Sequence, residues 1–267
     1  MIPDHRKNSL NKLATFVGNG FSENHVIQLG KIAKSERIFF HNDHYENYFD
    51  GMLVCDNDDD FHIHLNLDRG NTEQSRRGRF SFAHELAHYF IDEHRIPLLS
   101  GQAAPHGSLH DFAHRDEVEE EADYFAGCLL MPDAALRKVP VPRRFSVDTI
   151  IKLSDAFNTS VLSTVLRFAE SGTHEICAVI SENNVTKWYT RSKDFPDWPI
   201  RFKVGHTLPP STVAGEFYTK RDAKYKTVED VDPGDWFFPR WTPTAQMHEQ
   251  CYYSDSYGYV ISLLWFD

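Results

Sequence analysis

The pentapeptide HELAH at positions 84–88 holds the residues best suited to chemistry in this sequence. His84 and His88 are four positions apart, so on a helix they project from one face with Cβ atoms about 5–6 Å apart. Two imidazole nitrogens placed in this way can each reach the distance of about 2.0–2.1 Å that Zn²⁺ requires. Glu85 points about 100° away around the helix axis. Its carboxylate can therefore reach a water beside the metal and act as a general base.

A third ligand is expected from the acidic segment EVEEEADYFAG, because a catalytic zinc takes three protein ligands and keeps one position open. Glu119 and Asp123 fall on one stripe of a second predicted helix. Glu119 is the predicted third ligand, and Asp123, one turn further on, can hold a ligand histidine in the correct tautomer. The alternative is that Glu117, Glu119, Glu120 and Glu121 simply form a solvated acidic face.

The chain has 15 histidines, so a short histidine pattern could also arise by chance. Two features argue against chance here. The HELAH pattern lies inside a segment with helical periodicity and a small-residue face, and a suitable third ligand follows it. By contrast, His62 and His64 alternate with apolar residues, which predicts the polar face of a strand rather than a metal site.

Hydrophobic periodicity predicts the elements that must position these residues. The segment RRGRFSFAHELAHYFIDEH has helical spacing, and a second helix is predicted from about 116 to 130, ending before Pro132. A loop rich in Gly, Pro, Ser and His is expected between them. The other predicted elements of this half are helices at 6–17 and 22–34, the second capped by Ser22, and strands at 51–55 and 61–66, joined as a hairpin.

The second half of the chain begins with a predicted helical pair over residues 146–170. Asn158 interrupts its pattern and Ser160 can cap the second helix. From His174 onward, β-branched and aromatic residues alternate with turn signals, and all five tryptophans lie in this part. The predicted domains are therefore residues 1–135, 136–171 and 172–267.

Composition limits the classes of partner. The formal charge is −11, from 28 basic and 39 acidic side chains, which argues against broad electrostatic attachment to nucleic acid. The cysteines form no CxxC pair and are expected to be reduced thiols; they are Cys55, Cys128, Cys177 and Cys251. The sequence lacks both a signal-peptide pattern and an apolar run of roughly 20 residues, so a soluble, cytoplasmic protein is expected.

The segments RFSFAHELAHYFI and EVEEEADYFAGCLLMP together resemble the ImmA/IrrE family of zinc metallopeptidases. That family has the motifs RF-x-x-AHE-x-x-H and E-x-x-A-N/D-x-FA-x-x-LLMP. HELAH followed by Glu119-x-x-Ala122-Asp123 is also similar to gluzincins such as the thermolysin-type peptidases. The resemblance covers roughly residues 61–170 and is strongest at the two motif helices. Asp123 stands where many members have Asn, and its carboxylate can still accept an imidazole N–H.

The resemblance implies an α+β fold with a zincin-like metallopeptidase domain, a helix-turn-helix-like helical pair and a β-rich C-terminal domain. That last domain is expected to be regulatory, and a substrate-docking role is equally open. It implies a Zn²⁺ bound by His84, His88 and Glu119, with Glu85 as the general base of a metalloendopeptidase. Family members typically cleave a helix-turn-helix repressor and so release phage, mobile-element, defence or stress-response genes. The expected partner is therefore a protein substrate. The motif does not specify the group that polarises the scissile carbonyl, for which the candidates are Tyr89, His106, His110, His114 and Arg115.

Two other functions stay open at this point. One is a DNA-associated transcriptional regulator whose zinc site is structural or vestigial, and the other is a zinc hydrolase with a non-peptide substrate. The helical pair offers Arg167 and no lysine in its possible recognition segment, so a structural role is favoured over DNA binding. Nucleic acid is expected at most as a regulatory signal, and no membrane partner is expected. The basic residues Arg76, Arg77 and Arg79 are expected to orient substrate or to form salt bridges.

Overall fold

The computed structural model describes residues 2–105, 107–109, 116–142, 144–172, 174–220, 224–241 and 243–267. The chain divides into two compact units. The first unit comprises Met1–Lys138 and Ser154–Thr164, and the second comprises Val139–Leu153 and Val165–Asp267. This division follows packing alone, and the predicted domain boundaries at 135–136 and 171–172 stay predictions.

The first unit combines short strands with helices that carry the candidate site. Its elements are α1 (Asp4–Gly18), β1 (Ser22–Glu23), β2 (Val26–Ile27), α2 (Leu29–Ser35), β3 (Phe39–Asp43), β4 (Gly51–Cys55), β5 (Phe61–Asn66), a 3-10 turn (Leu67–Arg69), α3 (Arg76–Phe90), α4 (Asp92–Leu99), α5 (Glu117–Leu130) and α6 (Asp133–Leu136).

A three-stranded sheet supports the helices of this unit. Its strand order is β3-β5-β4, with β3 parallel and β4 antiparallel to β5. The predicted hairpin between β4 and β5 is confirmed. Phe61, Ile63 and Leu65 of β5 are buried on one face, whereas His62 and His64 are only partly buried, as strand alternation predicts.

The helix predicted over residues 22–34 is wrong in its first half. Ser22–Glu23 pairs antiparallel with Val26–Ile27, and helix α2 begins only at Leu29. Asn24 and His25 have φ values of 49° and 70°, the left-handed conformation that a tight hairpin turn requires. Strand β3 is an element that the sequence pattern does not predict. Its burial does not alternate, because only Phe40 is partly buried, so the pattern of a half-buried strand is missing.

Both helices that carry the motif residues have caps at their N-termini. The Ser75 side chain accepts the Gly78 N–H at the start of α3, and the Asp116 side chain accepts the Glu119 N–H at the start of α5. Gly78 is required sterically, since a Cβ there would lie 2.1 Å from the carbonyl oxygen of Thr72. Helix α5 ends at Leu130, before Pro132, as predicted.

The predicted helical pair consists of α7 (Val147–Phe157) and α8 (Val161–Ser171). Asn158 adopts a positive φ of 50° between them, and the Ser160 hydroxyl accepts the Ser163 N–H at 3.0 Å as the predicted cap. Within α8, Thr164 and Arg167 are 0% and 4% exposed. Side chains buried in this way are not presented to a DNA groove, which favours the structural role for this pair.

The second unit contains a five-stranded antiparallel sheet, and the predicted β-rich C-terminal region is confirmed. Its further elements are β6 (Ile176–Glu182), β7 (Val185–Arg191), α9 (Val213–Thr219), β8 (Glu229–Val231), α10 (Pro233–Trp236), β9 (Met247–Ser254) and β10 (Tyr259–Phe266). The strand order is β7-β6-β10-β9-β8. Trp198, Trp236 and Phe237 are at most 1% exposed in the core of this unit. In the described part of the chain, the helices are too short or too polar to span a membrane.

Candidate metal centre

Helices α3 and α5 pack against each other in the first unit. Ala83 and Ala87 of α3 and Ala122 and Ala126 of α5 are completely buried. Small side chains at buried positions let two helix backbones approach closely. This close approach brings side chains of the two motif helices within contact distance of each other.

Three side chains from these helices converge on one point. His84 Nε2 lies 3.2 Å from a carboxylate oxygen of Glu119, and His88 Nε2 lies 3.4 Å from the other one. The two Nε2 atoms are 3.1 Å apart. Among the described residues, His84, His88 and Glu119 are the group of three potential ligands whose donor atoms all lie within 4.8 Å of one another. Glu119 therefore does not belong to a solvated face, whereas Glu117 is exposed.

These separations fit a single ion. Donors bound at about 2.0–2.2 Å to a tetrahedral centre lie about 3.3 Å from one another. The distance of 3.1 Å between the two Nε2 atoms is close to that value, as are the distances of 3.2 and 3.4 Å from them to the two different carboxylate oxygens of Glu119. Two imidazole nitrogens and a carboxylate oxygen are also the ligand types that a zinc or similar transition-metal ion accepts. The donor set thus fits a divalent metal on geometry and on chemistry.

Asp123 contacts the opposite side of the His84 ring. Its Oδ1 lies 2.9 Å from His84 Nδ1, so this nitrogen can donate its proton to the carboxylate and leave a lone pair on Nε2. Burial lowers the pKa of His84, but the hydrogen bonds to Asp123 and Glu119 outweigh it and raise the pKa to about 10. Burial lowers the pKa of His88 to about 4. Metal binding at His84 therefore competes with protonation of the same ring.

Glu85 follows His84 on α3 and is 1% exposed. Its carboxylate lies against the backbone of Gly51, the first residue of β4. A Cβ built on Gly51 would lie 2.8 Å from Glu85 Oε1 and 3.0 Å from Glu85 Cγ, which is closer than side chains approach each other. Gly51 is therefore part of the wall beside the candidate general base.

A buried ionic cluster holds the start of β4 in place. Asp50, which is fully buried, accepts hydrogen bonds from Arg69 Nε at 3.0 Å, Arg77 Nη2 at 2.7 Å and Asn71 Nδ2 at 2.9 Å. Arg77 belongs to α3, the helix of the motif histidines. Asp50 therefore ties the strand that borders Glu85 to the helix that carries Glu85.

The other basic residues near the start of α3 also make structural contacts. Arg76 forms an ion pair with Asp155 at 2.5 Å, and Arg79 donates to the carbonyl oxygens of Ile27 and Asn158. This basic stretch was expected either to orient substrate or to form salt bridges. The observed contacts favour the second role.

Within the described part of the chain, no candidate for polarising the scissile carbonyl is seen in contact with His84, His88 or Glu119. The Tyr89 hydroxyl donates to Glu36 at 3.4 Å instead. His106, His110, His114 and Arg115 lie outside the described residues. His62 and His64 lie on the outer face of the sheet, where His62 contacts Asp56 and His64 contacts the Tyr45 hydroxyl.

Residues 64–168 match the Peptidase_M78 family model, described as the IrrE N-terminal-like domain. This part of the chain is similar to the IrrE N-terminal-like domain of that family. The resemblance to the ImmA/IrrE family that the sequence predicted is thereby confirmed. The Peptidase_M78 match runs from the end of β5 through α3 and α5 to α8 and includes the three converging side chains.

One solved structure shows that the fold of this chain is shared more widely. A Mycobacterium tuberculosis transcriptional regulator superposes with a TM-score of 0.59 at 12% identity, over 99% of this chain and 77% of its own. At this identity the likeness is one of fold alone. A search of the curated proteins gave no significant match.

Sequence reasoning missed two residues that border this site. Gly51 and Asp50 lie more than 30 positions before HELAH, in a segment without a recognisable motif. An aspartate before a glycine at the start of a strand is a common turn signal. The sequence therefore contained no pattern that would distinguish these two residues from an ordinary turn.

Proposed function

We propose that this chain is a cytoplasmic zinc-dependent endopeptidase that cleaves a helix-turn-helix transcriptional repressor at a specific site. The observation that carries the proposal is the convergence of His84, His88 and Glu119, with Glu85 buried beside them on the same helix. Similarity to a peptidase family supports hydrolysis of a peptide bond over other zinc chemistry. The Mycobacterium tuberculosis protein that shares the fold is a transcriptional regulator, which supports a regulatory setting.

The ligands proposed for zinc are His84, His88 and Glu119. A zinc ion bound there would acidify water and polarise the scissile carbonyl group. Asp123 keeps the Nε2 lone pair of His84 directed at the ion, because it binds the proton on Nδ1.

Glu85 moves the proton in the proposed reaction. Its carboxylate takes a proton from the attacking water and passes it to the nitrogen of the leaving amine. Glu85 is 1% exposed and lies against Gly51, so its carboxylate is kept out of bulk solvent.

The proposal is tested by incubating the zinc-loaded chain with helix-turn-helix proteins encoded near its gene and identifying fragments by mass spectrometry. We expect one defined cut in one of these proteins, and no cut after treatment with a chelator. In the same assay Glu85→Gln should keep its zinc and lose about 10²–10⁴-fold in rate, because the amide cannot accept the proton. Full activity of Glu85→Gln would remove Glu85 from the mechanism.

The competing function, a DNA-associated regulator, makes a different prediction. Such a protein should bind DNA in a salt-dependent manner whether or not the metal is present. The burial of Arg167 in α8 and the net charge of −11 both count against it. If the chain binds DNA without metal and cleaves no protein, the regulator is favoured over the peptidase.

A further inference from the structure

Gly51, at the start of β4, lies directly against the side chain of Glu85. A Cβ on Gly51 would meet three atoms of the Glu85 side chain, at 2.8, 3.0 and 3.2 Å. Contacts below 3.0 Å are not tolerated, so either Glu85 or the strand would have to move. The carboxylate of Glu85 is the end of a flexible side chain and would move first.

The backbone at Gly51 is fixed from several directions and would not give way easily. The Asp50 N–H donates to the Ser108 carbonyl oxygen at 2.8 Å, and the Asn66 N–H donates to the Asp50 carbonyl oxygen at 3.1 Å. The Ser108 N–H donates to the Gly51 carbonyl oxygen at 2.9 Å. Together with the ion pairs of Asp50 to Arg69 and Arg77, these bonds anchor the start of β4.

Gly51 has no need of its special backbone freedom. Its φ does not lie in the left-handed region, and it begins a regular strand that pairs with Leu65 of β5. Alanine could therefore adopt the same backbone conformation. What glycine provides at this position is the space that the Glu85 carboxylate fills.

We propose that Gly51 is a positioning residue for Glu85: the missing side chain leaves one place for the carboxylate, and the anchored strand prevents that place from shifting. This inference rests on the proposed peptidase function, because it concerns the general base of that reaction. It extends the catalytic arrangement to a strand that the two motifs do not include.

The activity test compares Gly51→Ala with the wild type in the full chain. We expect unchanged zinc content and KM but a kcat lower by about 10²-fold, since a general base displaced by about 1 Å loses that much. In a Glu85→Gln background, Gly51→Ala should lower the residual rate no further, because the group it displaces is already disabled. Wild-type kcat in Gly51→Ala, or an equal loss in both backgrounds, would overturn the inference.

A matched control is available at Gly30 in α2. A Cβ there would lie 3.7 Å from the Phe40 ring, an ordinary van der Waals contact, and its φ is not left-handed. Gly30→Ala should leave zinc content, KM and kcat unchanged. A kcat loss in Gly30→Ala equal to that in Gly51→Ala would show that the effect is not specific to the strand beside Glu85, and would also overturn the inference.

A stability cycle decides the inference independently of any substrate. In Glu85→Ala the side chain ends at Cβ, so the added methyl group of Gly51→Ala finds space. We therefore expect Gly51→Ala to lower the melting temperature in the wild-type background and to have no such effect in Glu85→Ala. If the wild type proves to have no peptidase activity, the proposed function fails and this cycle alone decides: an equal change, or none, in both backgrounds refutes the contact.

Discussion

His84 is contacted at both of its ring nitrogens, by Asp123 at 2.9 Å on Nδ1 and by Glu119 at 3.2 Å on Nε2. With the ring only 1% exposed, these contacts determine its orientation. A metal ligand that is already oriented loses little entropy when the ion binds. At the scale of the residue, the orientation of His84 thus depends on Glu119, a candidate ligand, and on Asp123, which is not one.

Asp123 is the residue through which this dependence can be tested. Asp123→Ala should weaken zinc affinity by about 10–100-fold, because His84 loses the acceptor that fixes its tautomer. Asp123→Asn is the matched control and should retain most of the affinity, since the amide oxygen still accepts the Nδ1 proton. Competition titrations with a zinc-binding dye measure both, and equal affinity of Asp123→Ala and wild type would contradict the role.

The sequence predicts five site residues on two helices, and the structure brings the donor atoms of His84, His88 and Glu119 together. The surroundings of these residues could not be predicted in the same way. His84, Glu85 and His88 share one helix, so helix geometry alone sets their relation. Glu119 and Asp123 are four positions apart on α5, so helix geometry sets their relation too. Gly51 depends on a long-range contact between a strand and a helix, and no local pattern in the sequence encodes such a contact.

At the scale of the element, the decisive contact is the packing of α3 on α5. Ala126 lies two turns beyond Glu119 on the same stripe of α5 and is 0% exposed. A small side chain at this buried position allows α5 to pack closely on its neighbours, which include α3. The distance between the helices thus controls the distance between the ligands.

Enlarging Ala126 should separate the ligands. We expect Ala126→Leu to cost about 1–3 kcal/mol of unfolding free energy through overpacking, and to weaken zinc binding because Glu119 moves away from the imidazoles. Ala134→Leu, at an exposed position of α6, is the control and should change neither. Urea denaturation measures the stability and zinc titration measures the affinity. If Ala126→Leu is destabilised but binds zinc as the wild type does, helix packing does not control the position of Glu119 and the prediction is wrong.

In the second unit, a buried carboxylate links β9 to α9. Glu249 is 0% exposed and accepts hydrogen bonds from the Trp236 indole at 2.8 Å and from the backbone amides of Val213 and Ala214 at 3.0 and 3.2 Å. Burial raises the pKa of Glu249 above its ordinary value of 4.5, although these hydrogen bonds oppose the rise. Keeping this group ionised therefore costs the folded state free energy at neutral pH.

The sign of the resulting pH dependence follows from linkage. With a raised pKa in the folded chain, the contribution of Glu249 to stability is complete below its ordinary pKa of 4.5 and is lost as the pH rises through the raised pKa. Since Glu249→Gln does not titrate, the unfolding free energy of the wild type minus that of Glu249→Gln should increase as the pH falls from about 8 to about 5. A difference that stays constant over this range would contradict the buried, proton-favouring environment.

Long amphipathic helices with caps were predictable, and very short or irregular elements were not. Helices α3, α5, α7 and α8 combine apolar periodicity with a clear start or stop signal. The strands β1 and β2 span two residues each, and the turn between them requires positive φ values at Asn24 and His25. The apolar spacing of this segment predicts a helix, so the turn was not predicted. Tertiary packing decides such segments, since their local preferences are weak.

At the scale of the whole molecule, a segment similar to the IrrE N-terminal-like domain and a five-stranded antiparallel sheet share one chain. The chain superposes over 99% of its length on a transcriptional regulator of Mycobacterium tuberculosis, so both units belong to a fold that another protein also uses. A regulatory role for residues 172–267 stays a prediction. The net charge of −11 argues against broad electrostatic attachment to nucleic acid.

The most direct test of the central claim is the zinc content of the purified full chain, measured by plasma mass spectrometry for the wild type, Glu119→Ala and Glu117→Ala. Glu117 lies two positions away in the first turn of α5 and is exposed, so it is the matched control. We predict about one zinc ion per chain in the wild type and in Glu117→Ala, and little or none in Glu119→Ala. A wild type without zinc, or a Glu119→Ala variant that retains it in full, would contradict the convergence of the two helices on one metal ion.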